Sequence, residues 1–162
     1  MNEALRRLWR LFDLVEKEDI HLRGVTARLF EIRDQAISPK LLETMLSTPE
    51  GIDRLESFVG KFSRMQDTVM DKLLPALLTA AGDTTGTALD NLNRAQRLGF
   101  VDDPDAWLGM RQLRNRLVHE YVDDLEELAA ALSVARTFTA TLSAVHEALR
   151  RYAERELPRP SA

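Results

Sequence analysis

Apolar positions recur every three or four residues along most of the chain, which is the spacing of one face of an α-helix. The first stripe spans residues 2–36 and comprises Leu5, Leu8, Phe12, Val15, Leu22, Val25, Leu29, Ile32 and Ala36. Asp19 falls where this stripe expects an apolar side chain, and Gly24 weakens its centre. The stretch is therefore either one long helix or two helices broken near Asp19, and we favour one.

Two start signals follow, in each of which a capping hydroxyl precedes a proline. Ser38-Pro39 opens a short helical turn over 40–46, and Thr48-Pro49 opens a long helix. The apolar face of the long helix comprises Ile52, Leu55, Val59, Phe62, Met65, Val69, Leu73 and Leu77. Pro75 lacks a backbone donor, so we expect a kink or an early end there, with Gly82 as the C-terminal cap.

Shorter helices precede the last one. A helix over 88–98 stops at Gly99, and Asp103-Pro104 begins another that carries Trp107 and Leu113 on its apolar face. Asp123-Asp124 then caps the final helix, whose apolar residues repeat every 3.5 residues or so, about the spacing of bundle seams. That stripe comprises Leu125, Leu128, Leu132, Ala135, Phe138, Leu142, Val145, Leu149 and Tyr152.

Together these elements predict an all-α, antiparallel up-and-down helical bundle with three long helices and two or three short ones. Helices of matched length joined by short loops pack antiparallel. A chain of 162 residues fits one domain with a real core. We expect a single helical domain over 1–157, followed by a disordered tail over 158–162.

Composition narrows the function. The chain has no cysteine, which excludes disulfides and thiolate metal sites and is compatible with a cytoplasmic protein. No signal peptide is visible, and no apolar run approaches the roughly 20 residues that cross a bilayer, so we expect no membrane partner. The net charge of −4 argues against a protein that coats nucleic acid over a large surface. Any RNA contact must therefore be local.

One stretch, 114–121, brings together an arginine, a histidine and a tyrosine. His119 can exchange a proton near neutral pH, and the planar fork of Arg114 matches a phosphate. Such a pair suits cleavage of an RNA backbone, in which the base takes the 2′-hydroxyl proton and the arginine stabilises charge on the phosphoryl oxygens. This chemistry requires no metal or cofactor, and the sequence offers no metal site.

The spacing of the pair constrains its geometry. Residues five apart on a regular helix lie about 140° apart around the axis. Arg114 and His119 could therefore flank a groove, converge if the helix loosens near His119, or line one cleft in a two-fold dimer. We favour the last two arrangements together.

The order Arg114-Asn115, His119, Tyr121 resembles the signature of the HEPN superfamily, and the tyrosine resembles the HepT toxin subgroup in particular. The preceding stretches 98–103 and 107–110 are similar to the order in HepT and in nucleotidyltransferase substrate-binding proteins. The resemblance covers residues 50 to 150, and it implies a helical homodimer that cleaves RNA without a metal.

By that resemblance, Arg114 and His119 are catalytic and Asn115 is a polar helper. A partner nucleotidyltransferase, the MntA antitoxin, would add AMP to Tyr121 and silence the toxin. HEPN proteins without the arginine-histidine pair serve as non-catalytic companions of nucleotidyltransferases, which is the alternative function.

Other polar and aromatic residues have plainer interpretations beside functional ones. Arg111 and Arg116 form a basic cluster with Arg114, which is either a solvated face or a track for RNA phosphates. The plainer interpretation of Arg114 is an ion pair with an acid such as Glu120 or Asp123. We expect His21 and His146 at the surface or its boundary, and Trp9 and Trp107 in the core or a dimer contact.

Overall fold

The computed structural model describes residues 3–30, 36–119 and 123–160. All regular secondary structure in these ranges is helical, which confirms the predicted all-α class. The elements are α1 (Glu3–Leu29), α2 (Pro39–Met45), α3 (Pro49–Thr68), a π-helical turn (Val69–Leu73), α4 (Leu74–Ala80), α5 (Ala88–Arg97), α6 (Pro104–His119) and α7 (Leu125–Glu156).

Contacts between the long helices fix their directions. Phe30, just after α1, packs edge-to-face on Phe58 in the middle of α3, whereas Glu18 accepts a hydrogen bond from Thr68 at the end of α3. Residue numbers therefore rise along one helix as they fall along the other, so α1 and α3 are antiparallel. The same relation holds between α1 and α7, because Ser143 bonds Asp19 and Arg150 pairs with Glu16.

Helix α6 completes the bundle between α3 and α7. Trp107 packs edge-to-face on Phe138, and Arg116 pairs with Glu127 nearer the start of α7, so these two helices are antiparallel. The three long segments and the shorter α6 thus run alternately up and down, as expected of the predicted antiparallel bundle. The layout places α6 beside α3 and α7, and α1 on the opposite corner.

The core is continuous through the bundle. It is centred on the fully buried aromatic residues Phe12, Phe58 and Phe62, with Trp107 2% exposed. Trp9 is also buried, and its Nε1 donates to the carbonyl of Pro158 at 3.2 Å. Both tryptophans are therefore packing residues, in agreement with the expectation from sequence.

The predicted helix starts are confirmed by their hydrogen bonds. Ser38 accepts from the amide of Leu41, and Thr48 accepts from the amide of Gly51, each directly before a proline at the first turn. Asp103 accepts from the amides of residues 105 and 106 at the start of α6. Asp124 accepts from the amides of residues 126 and 127 and caps α7. Each helix start depends on hydrogen bonds within a few adjacent residues, which is why the sequence predicts it.

The expectation of an early end at Pro75 is wrong, because α3, the π turn and α4 run without a break to Ala80. Proline removes a donor, and its ring crowds the carbonyl four residues earlier. The chain instead widens into a π turn directly before it, where the amide of Leu74 bonds the carbonyl of Val69. Gly82 then ends the helix with φ of +83°, as predicted for the cap.

Helix α1 passes through both Asp19 and Gly24 without interruption, which confirms one helix rather than two. Its described end at Leu29 falls short of residue 36, and Ala36 is exposed and non-helical. Ile32 lies outside the described residues. Asp19 is only 2% exposed, so it occupies the apolar stripe as a buried carboxylate.

Helix α7 is long and apolar enough, by length and composition alone, to cross a membrane, although the sequence showed no continuous apolar run of that length. Of its most apolar 18-residue window, 44% is buried inside the bundle. The buried side chains include Leu132, Phe138 and Leu142 of the predicted stripe. Packing against the neighbouring helices therefore accounts for the apolar residues of α7 that are buried.

Candidate functional site

Helix α6 carries the first part of the motif. It remains α-helical through His119, so the expected loosening before that residue is not found. Arg114 and His119 are therefore five positions apart on one regular helix, about 140° around its axis. The side chain of His119 and the whole of Tyr121 lie outside the described residues. The two-fold cleft that would bring the pair together stays a prediction.

Arg114 is held before any substrate arrives. Its Nη1 donates to Asp67 Oδ1 on α3, and its Nη2 lies 3.3 Å from Asn115 Oδ1. The Arg114 side chain is 21% exposed and that of Asp67 is 46% exposed. The acid partner of Arg114 therefore comes from α3. The sequence had suggested Asp123 or Glu120 instead, both of which follow α6. Asn115 contacts Arg114 directly, so it can orient the guanidinium.

A second ion pair lies one turn away. Arg111 Nη2 donates to Asp71 Oδ1 at 2.6 Å, at the π turn. Asp67 and Asp71 are four residues apart and Arg111 and Arg114 three apart, so each pair shares one helical face. We call these two rungs the α3–α6 ladder. The ladder places Arg111 and Arg114, both predicted to contact phosphate, side by side. It also neutralises the charge of each arginine with an aspartate.

Arg116 does not join this ladder. It lies about 160° around the axis from Arg114 and pairs with Glu127 of α7 at 3.0 Å. The structure therefore brings two of the three clustered arginines together and sends the third to another face. Arg116 could reach an RNA phosphate only at a separate point.

A buried acid underlies the ladder. Glu18 of α1 is 7% exposed, and its Oε1 bonds Thr68, the residue after Asp67. Burial raises the pKa of Glu18, and the Thr68 bond and the cations Arg64 and Lys72 oppose that rise. Burial outweighs these opposing effects, so the charged form of Glu18 is disfavoured in the folded protein. The sequence did not predict this buried acid. No sequence signal marked it, because its partner is fifty positions away.

A second polar cluster joins α1 to α7 on the far side of the bundle. The buried Asp19 carboxylate accepts from Ser143 and Arg23. His146 is 5% exposed, which contradicts its expected place at the surface or its boundary, whereas His21 is exposed, in agreement with that expectation. The residue lies on the apolar stripe between Val145 and Leu149, where α7 faces α1. Burial lowers the pKa of His146, and Arg150 lowers it further against the opposing effect of Asp19.

Two of the grooves on the surface that the structure describes lie against α1. The larger lies between α1 and α7, has a volume of about 560 Å³, and is bordered by Arg23, Arg136 and Phe30. The other lies between α1 and α4, has a volume of about 340 Å³, and adjoins the α3–α6 ladder at Asp71. Within the described ranges, no group of three or more side chains is placed to hold a metal ion.

Comparison with known proteins adds no family. No family model, curated protein or solved structure matches this chain. The chemistry of the site therefore has to be argued from its own residues, chiefly the partly exposed Arg114 and the helix that carries it to His119.

Proposed function

We propose that this chain is a HepT-like toxin of a type VII-like toxin–antitoxin pair, a cytoplasmic metal-independent endoribonuclease that acts as a homodimer. The observation that supports it most is the place of Arg114. This arginine lies partly exposed at the edge of the bundle, oriented by Asp67 and Asn115, on the helix that ends at His119. An arginine held in this way is preorganised for a phosphoryl group.

The proposed reaction needs one base, one acid and one cation. His119 takes the proton of a ribose 2′-hydroxyl, and the 2′-oxygen attacks the adjacent phosphorus. The bond from phosphorus to the 5′-oxygen breaks, which leaves a 2′,3′-cyclic phosphate. The departing 5′-oxygen takes a proton from the histidinium of the second copy. Arg114 stabilises the charge on the non-bridging oxygens.

The ion pair with Asp67 is compatible with this role because a guanidinium has five donors. Among the described residues, the guanidinium makes one contact to Asp67 and one to Asn115, so a phosphate can share the fork. Asp67 would then position Arg114 at the cost of some repulsion toward the incoming anion. Arg111 is the adjacent candidate for a neighbouring phosphate.

A second function is favoured by the neutral state of the ladder. Because Asp67 and Asp71 neutralise both arginines, the same surface suits a non-catalytic subunit of a minimal nucleotidyltransferase. In both proposals an MntA-like nucleotidyltransferase is the partner. In the toxin proposal it modifies Tyr121 with AMP and so blocks the motif.

Co-expression with a small nucleotidyltransferase encoded beside this chain separates the proposals. The toxin proposal expects RNA cleavage by the chain alone, loss of cleavage after co-expression, and an intact mass raised by one or more AMP units. Tyr121→Phe should remove the added mass. A stable complex with unmodified protein and no cleavage by the free chain would support the companion subunit.

A further inference from the structure

The groove between α1 and α4 has cations on both walls. Arg7 lines it from the first turns of α1, and Lys72 lines it from the π turn. Both residues are exposed. Its volume of about 340 Å³ falls within the range of small-ligand sites. Pro75 and Ala76 supply an apolar floor beside these charges.

The acids in this groove are already engaged by other cations. Asp71 pairs with Arg111, and Glu3 lies 3.1 Å from Arg10. Among the described residues, neither Arg7 nor Lys72 has an acid within ion-pair distance. Lys72 is near enough to the buried Glu18 to lower the pKa of that carboxyl. Arg7 and Lys72 are therefore the two lining cations that no described acid pairs with, in a chain whose net charge is −4.

The groove is continuous with the α3–α6 ladder. Asp71 borders the groove and also forms one rung of the ladder with Arg111. The π turn places Asp71 and Lys72 at this junction, and π turns within α-helices are frequent at functional sites. From the level of Asp67 to that of Thr79 at the far end, the path is about 18 Å long at the helical rise.

We propose that the α1–α4 groove binds the backbone of single-stranded RNA beyond the reacting nucleotide, with Arg7 and Lys72 as its phosphate ligands. This inference rests on the proposed ribonuclease function and extends its site from Arg114 through Arg111. Contacts of this kind position a strand and carry no sequence information. Two unpaired cations at one groove also match the local RNA contact to which the overall acidity limits the protein.

Fluorescence anisotropy with a labelled RNA of fifteen 2′-O-methyl uridines tests the groove, because that RNA binds but lacks the attacking hydroxyl. The groove variant is Arg7→Gln with Lys72→Gln. The matched control is Arg28→Gln with Lys40→Gln, which removes one arginine and one lysine from exposed positions at the opposite end of the bundle. Thermal unfolding of each variant checks that the fold is kept.

We expect the groove variant to bind about tenfold more weakly at moderate salt, with the slope of log Kd against log salt reduced by about 1.4, for two lost phosphate contacts. The control should bind within about twofold of the wild type, because its cations lie off the track. Equal binding by the groove variant and the control would overturn the inference. If the double variant unfolds, Lys72→Gln alone should reduce the slope by about 0.7.

Failure of the groove and failure of the ribonuclease are distinguishable. If unmodified RNA is cleaved but the groove variant binds normally, the groove proposal is wrong and the function stands. If the groove variant binds RNA more weakly but the wild-type protein does not cleave unmodified RNA, the groove proposal stands and the proposed ribonuclease function is wrong. Phosphate contacts are strong at low salt, about 50 mM. If the wild-type protein does not bind the RNA under that condition, the groove proposal is wrong.

Discussion

Arg114 on α6 donates through Nη1 to the carboxylate of Asp67 on α3, 47 residues earlier in the chain. The contact joins the motif helix to the continuous helical segment that runs from Pro49 to Ala80. It fixes the guanidinium at a partly exposed edge rather than leaving it to move in solvent. The same contact sets a condition on the proposed chemistry, because a phosphate has to share Arg114 with a carboxylate.

The strength of this contact is measurable. Partly exposed ion pairs contribute 0 to about 1 kcal/mol, so a double-mutant cycle of Asp67→Asn and Arg114→Met should give a coupling energy near the upper end, about 0.5–1 kcal/mol. The more exposed Arg116–Glu127 pair is the matched comparison and should couple more weakly. Urea unfolding of the four proteins in each cycle gives both values. A coupling of zero for Asp67 and Arg114 would mean that the pair does not persist in solution.

Local chemistry made much of the fold predictable from the sequence. Helix starts such as Ser38-Pro39 and Asp103-Pro104 depend on residues within one turn, and the apolar stripe of α7 depends only on spacing. The π turn before Pro75 was not predictable, because a proline in a helix can end it, bend it or widen it.

Polar contacts between residues far apart in the sequence could not be predicted, either in the core or at the candidate site. The buried Asp19 looked like a break in the stripe, and its partner Ser143 is 124 residues away. The acid partner of Arg114 was sought nearby in the sequence and lies on another helix. Spacing alone does show which arginines share a helical face, so the separation of Arg116 from Arg114 was open to prediction and was missed.

Replacing the buried Glu18 should stabilise the protein. Its Oε2 is buried without a hydrogen-bond partner in the described structure, and Thr68 retains the carbonyl of Arg64 at 2.9 Å as a second acceptor. Glu18→Met should therefore raise the free energy of unfolding at pH 7 by about 1 kcal/mol, because a buried charge is replaced by an apolar chain of similar size. Denaturant unfolding measures the change, and Glu43→Met at an exposed position is the control.

The pH dependence of that gain follows from the raised pKa of Glu18. A raised pKa in the folded state means that folding disfavours the charged form of Glu18. The resulting loss of unfolding free energy is absent below the ordinary pKa of 4.5, and it grows as the pH rises through the pKa of the folded state. The advantage of Glu18→Met should shrink toward pH 4. A gain that is equal at pH 4 and pH 7 would show that burial of the charge is not its source.

His146 should make the protein less stable in mild acid. Burial lowers its pKa from the ordinary 6.5, so its contribution to stability is complete above pH 6.5 and is lost as pH falls toward the folded value. Wild type should lose on the order of 1 kcal/mol between pH 7 and pH 5 that His146→Leu does not lose. The exposed His21→Leu is the control and should keep the wild-type slope. Identical slopes in all three proteins would contradict a buried neutral histidine.

Ser143 should matter more than its size indicates. Its hydroxyl bonds the buried Asp19, so Ser143→Ala leaves a carboxylate with one partner fewer and should cost about 1–3 kcal/mol of unfolding free energy. Ser133→Ala is a matched control on the same helix, because within the described part of the chain its hydroxyl bonds only the carbonyl of Ala129, and its loss should cost less than about 0.5 kcal/mol. Comparable losses in both variants would show that Asp19 does not depend on Ser143.

Cleavage of single-stranded RNA in the presence of EDTA tests the central proposal most directly. Wild type, Arg114→Ala, His119→Ala and the control His21→Ala are incubated with a labelled RNA, and the product ends are identified. We predict 2′,3′-cyclic phosphate ends from wild type and His21→Ala. Arg114→Ala and His119→Ala should lose activity by about a hundredfold or more. Absence of cleavage by wild type, or unchanged cleavage by His119→Ala, would contradict the proposed ribonuclease.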